Sequence, residues 1–158
     1  MIKKICMLLA LALSLSATMA FADDFPDDIF DKIAAMKADS EAKKDMPPSL
    51  PGMTVISPAD AYKMFQSKKA VFLDNRVKSN YDAEKIKGAE WFFADELMKN
   101  PDFAKKLDKE KDYIFYCNGT ICYRSPAVGL MLAHLGFKKL HWLREGFPGW
   151  KKAGYPVE

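Results

Sequence analysis

The sequence of 158 residues carries 24 lysines and arginines against 21 acidic residues, a formal net charge of +3. Two of the basic residues, Lys3 and Lys4, fall within an N-terminal leader, so the rest of the chain is nearly neutral and no nucleic-acid partner is expected. That rest is long enough for one domain with its own hydrophobic core.

Residues 1–22 have the pattern of a cleaved signal peptide. Lys3 and Lys4 precede an apolar run over 5–15, and Ala20-Phe21-Ala22 fits a small-x-small cleavage site. The run is too short to span a bilayer comfortably, and no later segment approaches the roughly 20 apolar residues that a span requires. The pattern predicts a periplasmic or secreted protein, with no membrane span after cleavage.

Residues 23–53 are predicted to form an amphipathic helix followed by a proline-rich linker. Phe25, Ile29, Ile33 and Met36 recur at helical spacing, and the segment MPPSLPG over 46–52 then ends the pattern. Two interpretations stay open for this helix: it packs on the domain, or it is an arm that binds a partner.

From residue 54 onward, strand and helix patterns alternate. Strands are predicted over 54–56, 70–74, 89–92, 112–117 and 138–143, and helices over 58–67, 94–107 with an interruption at Pro101, 126–135 and 148–154, with a helical turn at 81–85. Strands joined by helical crossovers predict an α/β fold, a mostly parallel sheet of about five strands with helices on both faces. In such sheets ligands bind at the carboxyl ends of the strands.

Cys117 lies at one of these carboxyl ends. It terminates an apolar, aromatic strand, and a short polar loop leads from it to Ser125 and Pro126, which are predicted to cap the next helix. A cysteine that faces loop amides and the positive end of a helix favours its thiolate form and acts as a nucleophile. The sequence therefore predicts cysteine chemistry on an anion.

Four segments in this order resemble those of the rhodanese (thiosulfate sulfurtransferase) domain family. They are VFLDNR (71–76), EKIKGAEWF (84–92), YCNGT…RSPAVGLMLAHLGF (116–137) and LREGFPGWKKAGYPV (143–157). The resemblance covers residues 54–158 and implies a rhodanese-like fold with Cys117 as the nucleophile. The chain departs from the family pattern at Lys85, where histidine is common, and in its loop: seven residues (118–124), rather than five, separate Cys117 from Ser125.

The resemblance implies a double-displacement reaction. The Cys117 thiolate would attack the sulfane sulfur of thiosulfate, release sulfite and hold the sulfur as a persulfide, which then passes to cyanide, a small thiol or a protein acceptor. The loop amides are expected to hold the anion, Arg124 to supply positive charge, and Gly119 to let the backbone turn close to the sulfur. No cofactor is expected. The substrate-binding loop is Asn118, Gly119, Thr120, Ile121, Cys122, Tyr123 and Arg124.

Residues around this loop are also expected to contribute to the site. Cys122 is either an incidental thiol or a resolving partner that forms a disulfide with Cys117. Asp74 and Arg76 are expected to form a structural ion pair near the site, where Ser125 caps the helix. No metal site is expected, because the Cys-x4-Cys and His-x6-His spacings match no common zinc site.

Two other functions remain as alternatives. A cysteine phosphatase or arsenate reductase would use Cys-x5-Arg, whereas Cys117 and Arg124 are spaced as Cys-x6-Arg. A dithiol redox or sulfur-carrier module would use Cys117 and Cys122 together, although the pair lacks the Cys-x-x-Cys spacing of thioredoxin-like proteins.

Overall fold

The computed structural model describes residues 25–158, so the predicted signal peptide lies outside the described part of the chain. The strands are β1 (Thr54–Ile56), β2 (Ala70–Asp74), β3 (Glu90–Trp91), β4 (Asp112–Tyr116) and β5 (Leu140–Leu143). The helices are α1 (Asp27–Glu41), α2 (Pro58–Gln66), α3 (Lys78–Ala83), α4 (Ala94–Lys99), α5 (Arg124–His134) and α6 (Gly146–Lys152), with a 3-10 helix at Pro101–Lys106.

The five strands form one sheet in the order β1-β5-β4-β2-β3, and every pair is parallel. An isolated antiparallel bridge joins Ile86 to Val157 beside this sheet. The predicted α/β architecture with a parallel sheet of about five strands is therefore confirmed. The longest strands, β2 and β4, pair over their full length in the middle of the sheet.

Alternating side chains of the central strands divide the core between the two faces of the sheet. On one face Leu73, Phe115 and Trp142 pack with residues of α1, α4 and α5. On the other face Phe72, Ile114 and Leu143 pack with residues of α2 and α6. Because both faces are covered, the strands are apolar almost throughout, as is usual for parallel sheets.

The helix that follows Cys117 begins earlier than predicted. It starts at Arg124, its N-cap residue is Tyr123, and no side chain caps it. The prediction that Ser125 is the N-cap is wrong, because Ser125 is buried inside the first turn and its hydroxyl accepts a hydrogen bond from Trp142 Nε1 at 3.0 Å. The serine that does cap a helix is Ser57, whose hydroxyl accepts from the Asp60 amide.

Other helices begin or end a few residues away from the bounds predicted from the sequence. The helix at 78–83 begins before the predicted turn at 81–85, and α6 begins two residues before Pro148. The segment 94–107 divides at Asn100, where an α-helix gives way to a 3-10 helix that begins with Pro101. Proline at this first position loses no intrahelical hydrogen bond.

The N-terminal segment lies against the domain rather than extending from it. Ile29, Ile33 and Met36 of α1 are buried in the same cluster as residues of α5, and the Phe25 ring meets the ring of His134 edge-on. The linker contributes Met46, which is 1% exposed. Within residues 25–158 no helix is long and apolar enough to cross a membrane.

Candidate active site

Three loops meet at the carboxyl edge of the sheet. They follow β2, β4 and β5, which are neighbours in the sheet. Because neighbouring strands are parallel, they end at the same edge of the sheet, and the loops that follow them lie close together. The Asn75 amide donates to the carbonyl of Tyr116 at 2.9 Å, and the Phe147 amide donates to the carbonyl of Cys117 at 2.8 Å. The backbone around Cys117 is thus fixed from both sides.

Cys117 and Cys122 are joined by a disulfide, with 6.1 Å between their Cα atoms. Both residues are buried, with exposures of 1% and 7%. The Cα separation falls within the usual range of disulfides, about 4.4–6.8 Å. The enlarged loop therefore folds back so that its second cysteine meets the first.

The residues between the cysteines offer unused backbone donors. The Cys122 amide donates to the Gly119 carbonyl at 3.1 Å, closing a turn. Within residues 25–158, the amides of 118–121 donate no hydrogen bond to a protein acceptor. Gly119 has φ +108°, a conformation that L side chains rarely adopt. The loop thus holds amides that are free to bind an anion.

Gly146 allows the loop after β5 to approach Cys117. Its φ is +62°, and a Cβ at this position would lie 2.5 Å from the Gly119 nitrogen and even closer to the Cys117 carbonyl oxygen. No other residue fits this position without moving the cysteine loop. Glycine is therefore required here for close approach as well as for its backbone conformation.

Asp74, Arg76 and Tyr116 form a buried polar cluster beside this loop. Arg76 donates to both Asp74 oxygens, with Nη2 2.6 Å from Oδ2, and to the Glu84 carbonyl, and its guanidinium stacks 4.1 Å from the Phe147 ring centroid. The Tyr116 hydroxyl donates to Asp74 at 2.7 Å. Burial, together with the Asp74 charge, raises the pKa of the Tyr116 phenol above its ordinary value, so the hydroxyl keeps its proton. The charges of this cluster are paired internally.

Arg124 is half-buried, and its contacts are with α4 and its own neighbour. Its Nε lies 3.8 Å from Asp95 Oδ1, and the guanidinium lies over the rings of Phe93 and Tyr123. Neither Arg124 Nε nor Asp95 Oδ1 has a hydrogen-bond partner among the described residues. Positive charge is thus present at the start of α5, with donor capacity left unused.

The linker before β1 contacts the cysteine loop directly. The Met46 amide donates to the Thr120 carbonyl at 2.7 Å, and the Thr120 hydroxyl donates to Asp45 Oδ1 at 2.6 Å. Arg144, just after β5, donates to the carbonyls of Met46 and Pro47 at 2.5 and 3.2 Å. We call Asp45, Met46 and Pro47 the clasp, because they tie the loop after β4 to the loop after β5.

A surface groove of about 400 Å³ runs along the outer side of the cysteine loop. It is lined by residues 118–121, by Glu145 and by three residues of α6, Pro148, Gly149 and Lys152. Ile121 is 40% exposed at this groove, and few other large apolar side chains within residues 25–158 are as exposed. The groove therefore leads from solvent to the loop that encloses the two cysteines.

The two histidines lie elsewhere. His134 is exposed near the end of α5. His141 Nε2 lies 2.8 Å from Oδ1 of Asp112, the first residue of β4, so this pair lies at the end of that strand opposite to Cys117. Within residues 25–158, no group of three or more histidine, cysteine or acidic residues is arranged to hold a metal ion.

Sequence reasoning missed three contributors to this site: the clasp, Arg144 and Gly146. Gly146 lies in the segment REGFPGW, whose sequence shows a glycine but not the close approach to Cys117 that requires it. The clasp carries no local signal, since Asp45 and Met46 act through contacts with residues about 75 and 98 positions away.

Fold and site together define an α/β domain whose cysteine follows a central parallel strand and faces an amide-bearing loop. The chain belongs to the rhodanese family: the Rhodanese-like domain matches residues 57–153. This membership supports an enzyme of the sulfurtransferase type.

Relatives and solved structures agree with this assignment. The chain is 31% identical over 105 residues to the thiosulfate sulfurtransferase GlpE of Actinobacillus succinogenes, covering 66% of this chain and 90% of the relative. It is 27% identical to the tRNA uridine(34) hydroxylase of an Arthrobacter strain, covering 79% of this chain but 46% of that protein. The crystal structure of the BH2092 protein from Bacillus halodurans superposes with a TM-score of 0.60 at 26% identity, covering 66% of this chain and 76% of that one.

Proposed function

We propose that this chain is a sulfurtransferase that carries sulfane sulfur on Cys117. The observation that supports this most directly is the placement of Cys117 at the carboxyl end of β4, followed by four amides at 118–121 that donate to no acceptor within residues 25–158. Such amides stabilise a negatively charged sulfur against the cysteine.

The first half-reaction is a displacement at sulfur. The reduced Cys117 thiolate attacks the sulfane sulfur of thiosulfate or a related donor, a new sulfur–sulfur bond forms, and sulfite leaves with the electron pair of the broken bond. In the second half-reaction a thiol or cyanide attacks the outer sulfur of the persulfide, and the Cys117 thiolate leaves. The relatives named thiosulfate sulfurtransferase make thiosulfate the first donor to test.

The surroundings of Cys117 fit these roles. The buried Asp74–Arg76 pair has its charges matched internally, so it orders the β2 loop without binding substrate. Arg124 adds a cation at the start of α5, next to the cysteine loop, and its positive charge favours an anionic donor there. The groove beside residues 118–121 gives a second substrate access to the same loop.

The test begins with fully reduced protein. Incubation with thiosulfate should release one sulfite per chain. Peptide mass spectrometry should show that Cys117 is the modified residue, as the persulfide or as a disulfide formed from it. Cys117→Ser should release no sulfite while keeping the fold. Failure of the wild-type protein to release sulfite with any sulfane donor would exclude the proposal, and turnover of a phosphate ester by the same protein would favour the phosphatase alternative.

We also propose that residues 1–22 direct export, so that the enzyme works outside the cytoplasm. The support is the sequence pattern of that segment and the presence of a disulfide, which persists in oxidising compartments. Expression of the full chain followed by cell fractionation and intact-mass measurement should give an exported product that begins at Asp23. A cytoplasmic product that retains its first residues would contradict this.

A further inference from the structure

A second thiol lies within bonding reach of the nucleophile. In the structure the Cys122 sulfur is bonded to the Cys117 sulfur, the same atom that would carry the sulfane sulfur in the proposed persulfide. In this disulfide-bonded form the Cys122 amide closes a turn onto the Gly119 carbonyl, which brings the second cysteine back towards the first. Cys122 can therefore attack Cys117 within one chain.

The loop that presents Cys122 is fastened from outside. The clasp holds Thr120 through both its carbonyl and its hydroxyl, and Arg144 holds the clasp in turn. On the other side Tyr123 is the N-cap residue of α5 and is buried. Because Cys122 is fixed at both ends, its thiol stays close to Cys117, which raises its effective concentration far above that of a free thiol.

We propose that Cys122 discharges the Cys117 persulfide as hydrosulfide, so that the domain reduces sulfane sulfur with its own pair of thiols. This inference rests on the proposed sulfurtransferase function. It adds a product, hydrosulfide, and a requirement for a reductant, neither of which follows from transfer of sulfur to an external acceptor.

The step balances as a thiol–disulfide exchange. The Cys122 sulfur attacks the inner sulfur of the persulfide, and the Cys117–Cys122 bond forms. The bond between Cys117 and the outer sulfur breaks, and its electron pair leaves with that outer sulfur, which takes the Cys122 proton and departs as hydrosulfide. The two cysteines are oxidised to the disulfide seen in the structure, and the sulfane sulfur is reduced.

The free amides of 118–121 suit this step, since they can stabilise the sulfide that leaves as well as the persulfide that precedes it. Further turnover requires a thiol or dithiol reductant to reopen the disulfide. The complete cycle then consumes one thiosulfate and two thiols, and it yields sulfite, hydrogen sulfide and one external disulfide.

A single-turnover experiment tests the inference. The protein is reduced, freed of reductant without oxygen, and mixed with thiosulfate in the absence of any acceptor. We expect one sulfite and one sulfide per chain, and a protein that has lost the mass of two hydrogen atoms. A sample without thiosulfate should stay reduced, which excludes oxidation by residual air.

Three results are distinguishable. Sulfite with equal sulfide supports the inference. Sulfite without sulfide, with a protein that keeps the mass of one added sulfur, overturns the inference and leaves the sulfurtransferase function standing. Absence of sulfite overturns both.

Cys122→Ser provides an independent check, and serine is close in size to the cysteine that it replaces. This variant should release sulfite, keep the added sulfur on Cys117 and produce no sulfide. Sulfide release from Cys122→Ser at the wild-type level would also overturn the inference, because the outer sulfur would then leave without the second cysteine.

Discussion

The loops after β2 and β4 begin at the same edge of the sheet on adjacent strands, yet they are built for different purposes. At the end of β2, the Asp74 carboxylate accepts from Arg76 in the following loop and from Tyr116, the last residue of β4, and the Asp74–Arg76 ion pair is almost fully buried. After β4, the backbone amides at 118–121 have no acceptor among the residues that the structure describes, and two cysteines form a bond that reduction can open. A cluster whose charges are paired internally stabilises the fold, whereas free donors beside a reactive sulfur are suited to chemistry.

Apart from replacement of Cys117 itself, the largest loss of activity is expected from a change in the loop after β5. In Gly146→Ala the new Cβ would overlap the backbone of Cys117 and Gly119, so the cysteine loop must move. Displacement by about 1 Å can cost about 100-fold in rate, and we expect at least that loss in sulfite release per folded molecule. Circular dichroism and a thermal melt give the folded fraction.

Gly154→Ala is the matched control. Gly154 also has a positive φ, +72°, but no atom lies within 4 Å of a Cβ built there. This variant should lose only the roughly 1 kcal/mol associated with an unfavourable backbone conformation. Equal loss of activity in both variants would show that strain in the backbone, rather than contact with the cysteine loop, is responsible.

Arg76→Met should affect stability most. It leaves the Asp74 carboxylate buried without its cation, and removal of one partner from a buried pair costs about 3–5 kcal/mol. Denaturant unfolding measures this change, and Lys105→Met, which breaks the exposed pair with Asp102, should stay within about 1 kcal/mol of wild type. If Arg76→Met instead unfolds like wild type but binds thiosulfate poorly, then Arg76 binds substrate, and the structural role assigned to the loop after β2 is wrong.

The smallest effect is expected at the clasp. Thr120→Val removes the hydrogen bond to Asp45, a contact worth about 1 kcal/mol, so the discharge of the persulfide should slow about fivefold. Stopped-flow detection of sulfide measures this step separately from sulfite release. Thr120→Ser keeps the hydroxyl and should recover most of the rate; a rate as low as that of the valine variant would exclude the clasp as the cause.

Much of the fold followed from local patterns. The apolar runs over 70–74 and 112–117 predicted buried strands, and their separation by helical segments predicted a parallel sheet with Cys117 at its carboxyl edge. Boundaries were less accurate: Ser125 looked like a helix cap from its neighbours in sequence, but Trp142 from β5 takes its hydroxyl inside the core. No local pattern reports a partner that is 17 residues away.

The sequence by itself determined the class of the protein and indicated Cys117 as its candidate nucleophile, because apolar periodicity, turn residues and the cysteine loop are local properties of the chain. Only the tertiary structure decided that Cys122 reaches Cys117, that Gly146 must lack a side chain, and that Asp45 and Met46 fasten the loop. These features depend on contacts between segments far apart in sequence, and such contacts exist only once the sheet has brought the ends of β2, β4 and β5 together.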